Sequence, residues 1–164
     1  MTKNTAFDFD ALDLATLSDK PFEFELEHPG TGEGLGVFVS VVGAESETFQ
    51  QYLRAAGDAL RRKEFEAQRK GKPEEPLLLA DEEETGLRAI AACVKGWRTV
   101  NGGGSDPVIL IAGQRHEFSA DNVLVLLRKF RWVRWQLNKA TGTLGNYLGN
   151  SPAASASSPK PSSS

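Results

Sequence analysis

The order of apolar and polar positions marks the elements before any single residue is weighed. From Ser119 to Asn138, Val123, Leu126, Phe130, Val133 and Leu137 recur at steps of three and four, the spacing that lines side chains along one stripe of a helix. The pattern predicts one helix of about five turns over residues 119–138. Ser119 stands where a hydroxyl accepts from the free N–H groups of the first turn, and Asp121 places negative charge at the positive end of the helix dipole. Leu124, Leu127 and Trp135 widen the stripe and Trp132 falls beside it, more apolar surface than a small domain readily covers. Arg128, Lys129, Arg131 and Arg134 sit between the aromatics, where their stems can lie over apolar surface while the charged heads stay wet. Two readings follow: a core helix with a solvated basic edge, or a binding face.

Elsewhere the period changes. Phe22, Phe24 and Leu26 alternate with Glu23, Glu25 and Glu27, the pattern of a half-exposed strand. HPGTGEGLG then turns the chain, and Val37, Phe38, Val39, Val41 and Val42 form the return strand, giving a β-hairpin over 21–43. The glycines at 30, 32, 34 and 36 suit a turn; a phosphate loop needs a lysine and a following helix, and Glu33 would repel the anion. A helix over about 46–70 carries Phe49, Leu53, Ala56 and Leu60 on one stripe. Beyond Leu60 the charged RRKEFEAQRK predicts a distal half in solvent. PEEPLLL is a linker. Asp81 and Glu84 have the spacing of a capping box, with Asp81 in the cap position, and Leu87, Ile90, Ala91, Val94 and Trp97 give a helix over about 81–96 its apolar face. Gly96 ends that helix, and an irregular connection begins at Trp97. VNGGGSD is a flexible insertion, VILIA a short buried strand, and GQRHEF a turn. Leu144, Tyr147 and Leu148 predict a short helix folding back on the domain.

The fold class expected is therefore α+β: an N-terminal antiparallel hairpin or small sheet, then a mainly helical region. A chain of 164 residues with 40% hydrophobic and 25% charged content suits one domain with flexible ends. Residues 1–20 form an acidic arm in which Phe7, Phe9, Leu12, Leu14 and Leu17 alternate with aspartates. Such an arm either orders on contact or packs as a short strand or helix. Residues 21–148 form the single domain, and the Ser/Pro/Ala-rich 149–164 is a disordered tail, too poor in apolar area to offset its ordering entropy. The net charge of −3 hides a polarity: residues 1–53 hold ten acidic and two basic side chains, residues 122–164 six basic and none acidic. Such asymmetry lets the two ends attract each other or choose different partners.

Candidate chemistry is sparse. Cys93 is the only cysteine, which excludes an internal disulfide, favours a reducing cytoplasm and reads as small core packing among Ala91, Ala92 and Val94. His28 and His116 lack metal-spaced companions. The carboxylates from Asp81 to Glu84 suit a helix N-terminus better than acid/base work. No apolar run approaches the roughly 20 residues that cross a bilayer, and the N-terminus is too acidic for a targeting peptide. No nucleophile, metal set or cofactor loop emerges, so the chain reads as a non-enzymatic binding protein without a cofactor.

The order of the closing motifs resembles the small tail assembly chaperones of long-tailed bacteriophages. A helix ending near Lys95, Gly96 and Trp97 leads through a short strand to Gly113, then to a helix entry at Glu117, Phe118, Ser119 and Asn122, and a last helix ends near Asn146 and Tyr147. The resemblance spans roughly residues 20–148; the Gly102–Asp106 insertion and the density of RKFRWVRW depart from the pattern. It implies a protein that coats the tape measure protein in the host cytoplasm, keeps that long helical chain soluble, helps recruit tail tube protein and is absent from the mature virion. Self-association is a further option, and a frameshifted longer product would attach at the tail from Ser151. The surface expected to meet the partner comprises Trp97, Leu127, Phe130, Arg131, Trp132, Arg134 and Trp135, since a chaperone for exposed helices needs an apolar groove with orienting charge. Neither nucleic acid nor membrane is an expected partner. Two other classes stay open: a structural minor tail or head-completion protein, and nucleic-acid or membrane-surface binding through the basic aromatic helix.

Overall fold

The computed structural model describes residues 6–72 and 79–148. Nearly all of the expected linker and the whole of the expected 149–164 tail lie outside the described residues. The alternating FEFELE forms β1 (Phe22–Glu27), which pairs antiparallel with β2 (Gly34–Val41), Phe22 opposite Val41 and Phe24 opposite Val39. In the turn between them, the His28 ring nitrogen Nδ1 accepts from the N–H groups of Gly30 and Thr31, each at 3.1 Å. Ahead of the hairpin, a 3₁₀ turn at Phe9–Leu12 leads into α1 (Leu14–Ser18), capped by the Asp13 carboxylate. The end of this arm is packed: Ser18 is buried, its carbonyl accepts from Gly43 at 2.8 Å, and Asp19 accepts from Thr48 at 3.0 Å. Phe7, Phe9 and Leu12 stay exposed.

The long helix α2 (Glu47–Arg69) begins where Ser46 accepts from the Phe49 N–H, and buries none of its residues. Helix α3 (Leu79–Cys93) starts two residues before the expected cap, so Asp81 sits inside its first turn. It also ends earlier than expected, because β3 (Val94–Asn101) follows Cys93 directly and pairs with β2. Val94 and Trp97 are three apart, which is helical spacing. In β3 the register against β2 slips beside Lys95, so Val94 faces Val41 while Trp97 faces Val39, and both are buried. A bulge that inserts one residue restores a common face to positions three apart, and this is why the strand imitated a helix.

The glycine-rich stretch is not a loose insertion. Gly102 and Gly103, both at positive φ, turn β3 tightly into β4 (Gly104–Asp106), a geometry that costs a glycine little. This completes a four-stranded sheet in the order β1-β2-β3-β4. GQRHEF likewise supplies a strand where a turn was expected: β5 (Val108–Ile111) pairs with β6 (Gln114–Glu117) across Ala112 and Gly113.

The expected single helix over 119–138 is two. Ser119 caps α4 (Ala120–Lys129) by accepting from Asn122 at 3.1 Å, and Phe130 then adopts an extended conformation (φ −122°, ψ 97°) before α5 (Arg131–Gly142). No proline or glycine marks this break. The carbonyls it strips of helical partners find another donor: Arg134 reaches back from α5 and donates to those of Leu127 and Arg128, meeting the requirement that a buried helix end be satisfied. The bend lets α5 lie against β1 and β2 while α4 packs on α3. Val123, Leu126, Leu127, Val133, Leu137 and Ala140 join Leu26, Val39, Val41 and Trp97 in one core, with Leu87 of α3. Gln136 binds α5 to β1 through both its oxygen and its nitrogen, bonded to the Glu27 N–H and carbonyl at 2.9 and 2.8 Å.

The chain closes as its apolar residues predicted, with a short 3₁₀ turn (Leu144–Asn146) that returns Tyr147 to the core. Its hydroxyl donates to the Ala140 carbonyl at 3.2 Å, its ring meets Phe22 edge-on, and burial pushes its pKa up to about 12. Gly43 packs so closely on Ser18 and Tyr147 that any Cβ there would collide with both. The architecture is α+β, with helices laid on an antiparallel sheet.

Candidate functional site

Three helices leave a groove between them. The start of α2 gives Phe49, α3 gives Gly86, Ala89, Ile90 and Cys93, and α5 gives Trp135 and Asn138, around a space of about 720 Å³. Small residues on α3 keep the floor low. Burial pushes the Cys93 thiol up to about 11, so at neutral pH it is a neutral packing group rather than a nucleophile. Trp135 stands at the rim with 64% of its surface exposed. The Lys139 ammonium lies 5.2 Å from its ring centre, within range of a cation–π contact.

Electrostatics hold the groove's shape. Glu83 and Glu84 of α3 face the later helices: Glu83 accepts from Arg134 at 2.6 Å, while Glu84 bonds Arg128 of α4 and pairs with Arg88 at 3.2 Å. Their arginine hydrogen bonds, Arg134 for Glu83 and Arg128 for Glu84, keep both carboxyls below the usual carboxylate range. Glu83 and Glu84 of the acidic run thus clamp α3 to α5 and α4. Among the described residues, no three His, Cys, Asp or Glu side chains converge to hold a metal ion.

The seven residues expected to meet a partner separate by position. Leu127 and Trp97 are core residues: Leu127 is fully buried, and the Trp97 indole N–H donates to the His116 carbonyl at 3.2 Å with its ring edge-on to Phe118. Neither can touch a partner on the folded domain. Arg134, with 18% of its side chain exposed, spends its donors on Leu127, Arg128 and Glu83 and so acts as a helix cap. Phe130 and Trp132 are half-buried and pack against the core, their rings 6.3 Å apart. Only Trp135 and the exposed Arg131 stand both at the surface and on the groove.

Phe49 and Ile90 line the groove without having been singled out as contact residues. Their signal was present, since each lies on an apolar helical stripe, but a stripe does not distinguish a covered face from an open one. The basic face is likewise smaller than the run RKFRWVR suggested, because Arg128 and Arg134 are neutralised within the fold. No helix of the described residues is long and apolar enough to cross a membrane. In comparisons with protein-family models, curated proteins and solved structures, the chain matches none.

Proposed function

We propose that this chain is a non-catalytic assembly chaperone for the tail of a long-tailed bacteriophage, acting in the host cytoplasm to hold helical segments of the tape measure protein in the groove between α2, α3 and α5. The observation that carries the reading is the Trp135 indole, largely exposed at the lip of an apolar groove. A rigid aromatic beside an apolar trough is the usual anchor of a helix-binding surface. Arg131 on the same rim supplies charge that orients a partner. The order of motifs from Lys95 to Tyr147 adds the resemblance to this class, and tail tube subunits are the second partner it implies. The internal pairing of Arg128 and Arg134 weakens the alternative of a nucleic-acid surface, which depends on uncompensated cations.

Co-expression with the tape measure protein of the same phage tests the proposal. The chain raises the soluble fraction of that protein, and Trp135→Ala lowers its affinity by about thirtyfold, the loss of about 2 kcal/mol typical of a central aromatic anchor. A tape measure protein equally insoluble with and without this chain removes the proposal. Recovery of the chain at fixed stoichiometry from purified virions would assign it instead to the particle's structure.

A further inference from the structure

Helix α2 presents a second surface, away from Trp135. From residue 53 to residue 69 it extends about 25 Å, with Leu53 and Leu60 exposed at 44% and 49%. A lone helix of this length is marginal in water, and most helices in proteins owe their stability to a covered apolar face. Gly57 interrupts the middle of the helix, and a Cβ built there meets nothing within 4 Å. No packing among the described residues therefore requires this helix-weakening residue. Together with Ala56 on the neighbouring stripe it leaves the backbone open to close approach, beside a shallow depression of about 430 Å³ bordered by Leu53 and Arg61.

Charge indicates what approaches. The first half of α2 and its entry carry Glu45, Glu47 and Asp58 against Arg54. The second half and its exit carry Arg61, Arg62, Lys63, Arg69, Lys70 and Lys72 against Glu64 and Glu66. Acidic at one end and basic at the other, the helix is complementary to itself only when reversed. We infer that α2 pairs antiparallel with α2 of a second copy of this chain, making a dimer through the stripe of Leu53, Ala56 and Leu60. A full overlap of Glu47–Arg69 centres on Asp58. It sets Leu60 against Ala56 of the second copy and Leu53 along the stem of Lys63, while Glu45 and Glu47 meet Arg69 and Lys70, and Phe49 stays with the groove. The helix dipoles also oppose head to tail. Two leucines per helix make a weak, concentration-dependent dimer. This inference does not rest on the tape measure reading.

Sedimentation equilibrium of the full chain gives the test. The wild type rises with concentration from the monomer mass towards twice that mass. Leu53→Glu combined with Leu60→Glu stays monomeric with its near-UV spectrum intact, because both side chains are already exposed. Trp135→Ala dimerises as the wild type does, which separates this surface from the groove. A wild type that remains monomeric up to about 1 mM, or a double variant that dimerises equally well, overturns the inference. Orientation is read from a spin label on Gln68→Cys, attached selectively because Cys93 is buried. Antiparallel pairing keeps the two labelled sites about 30 Å apart along the helix axis, and a separation near one helix width overturns it.

Discussion

Helices α2 and α4 carry apolar residues at the same three-and-four spacing, and each begins at a serine whose hydroxyl accepts from the N–H three residues on. Yet α4 buries Val123, Leu124, Leu126 and Leu127, while α2 buries nothing. The difference lies outside both helices. β2 and β3 supply a face of Val39, Val41 and Trp97 for the core that α4 joins, and among the described residues no sheet lies beneath the distal part of α2. An apolar stripe is thus a demand for cover, and topology decides whether this chain or another meets it.

The contrast is broken most forcefully at its centre. Leu127→Ala should cost about 3 kcal/mol or more, the transfer term plus an unfilled cavity, whereas Leu60→Ala should fall within about 0.5 kcal/mol for the monomer. Urea unfolding of the two variants at low protein concentration compares them, and equal losses would mean that α2 is covered after all. The arginines sharpen the same point on a smaller scale. Arg134→Ala leaves the carbonyls at the end of α4 without a donor and is expected to cost about 1–2 kcal/mol. Arg54→Ala, which removes an exposed pair with Glu47, should change stability by less than about 0.5 kcal/mol.

Acid gives the mildest test. Glu83 and Glu84 are held below the usual value near 4.5 in the folded state, so their arginine clamps are fully stabilising above that value. The contribution is lost as pH falls through the lowered folded values. Glu83 is exposed and Glu84 keeps a third of its side chain accessible, so the effect is small. Thermal unfolding between pH 7 and about pH 3 should fall less steeply for the combined Glu83→Gln and Glu84→Gln variant than for the wild type, and parallel curves would show that the clamps add nothing.

Much was legible because it is local. The alternation at Phe22–Glu27, the stripe of α2, the cap at Ser119 and the return of Tyr147 all follow from spacing within a few residues of chain. The errors share one cause. Val94 and Trp97 kept helical spacing inside a bulged strand, the break at Phe130 carries no glycine or proline, and Gly102 and Gly103 close a hairpin whose partner strand holds little apolar pattern. Of the expected contact surface, only Trp135 and Arg131 are both exposed and on the groove, because an apolar stripe marks core and open face alike.

The amino-acid sequence determined which segments are amphipathic, where α2 and α4 begin, and that helices and an antiparallel hairpin must share one core, since these depend on side-chain period and on a capping hydroxyl a few residues away. The tertiary structure alone decided which stripes are covered, that one helical pattern bends in two over a sheet, and that Arg134 turns inward while Trp135 stays out. Those outcomes depend on distances between residues far apart in the chain, where a neighbouring strand or a freed carbonyl selects among conformations that the local pattern leaves nearly equal.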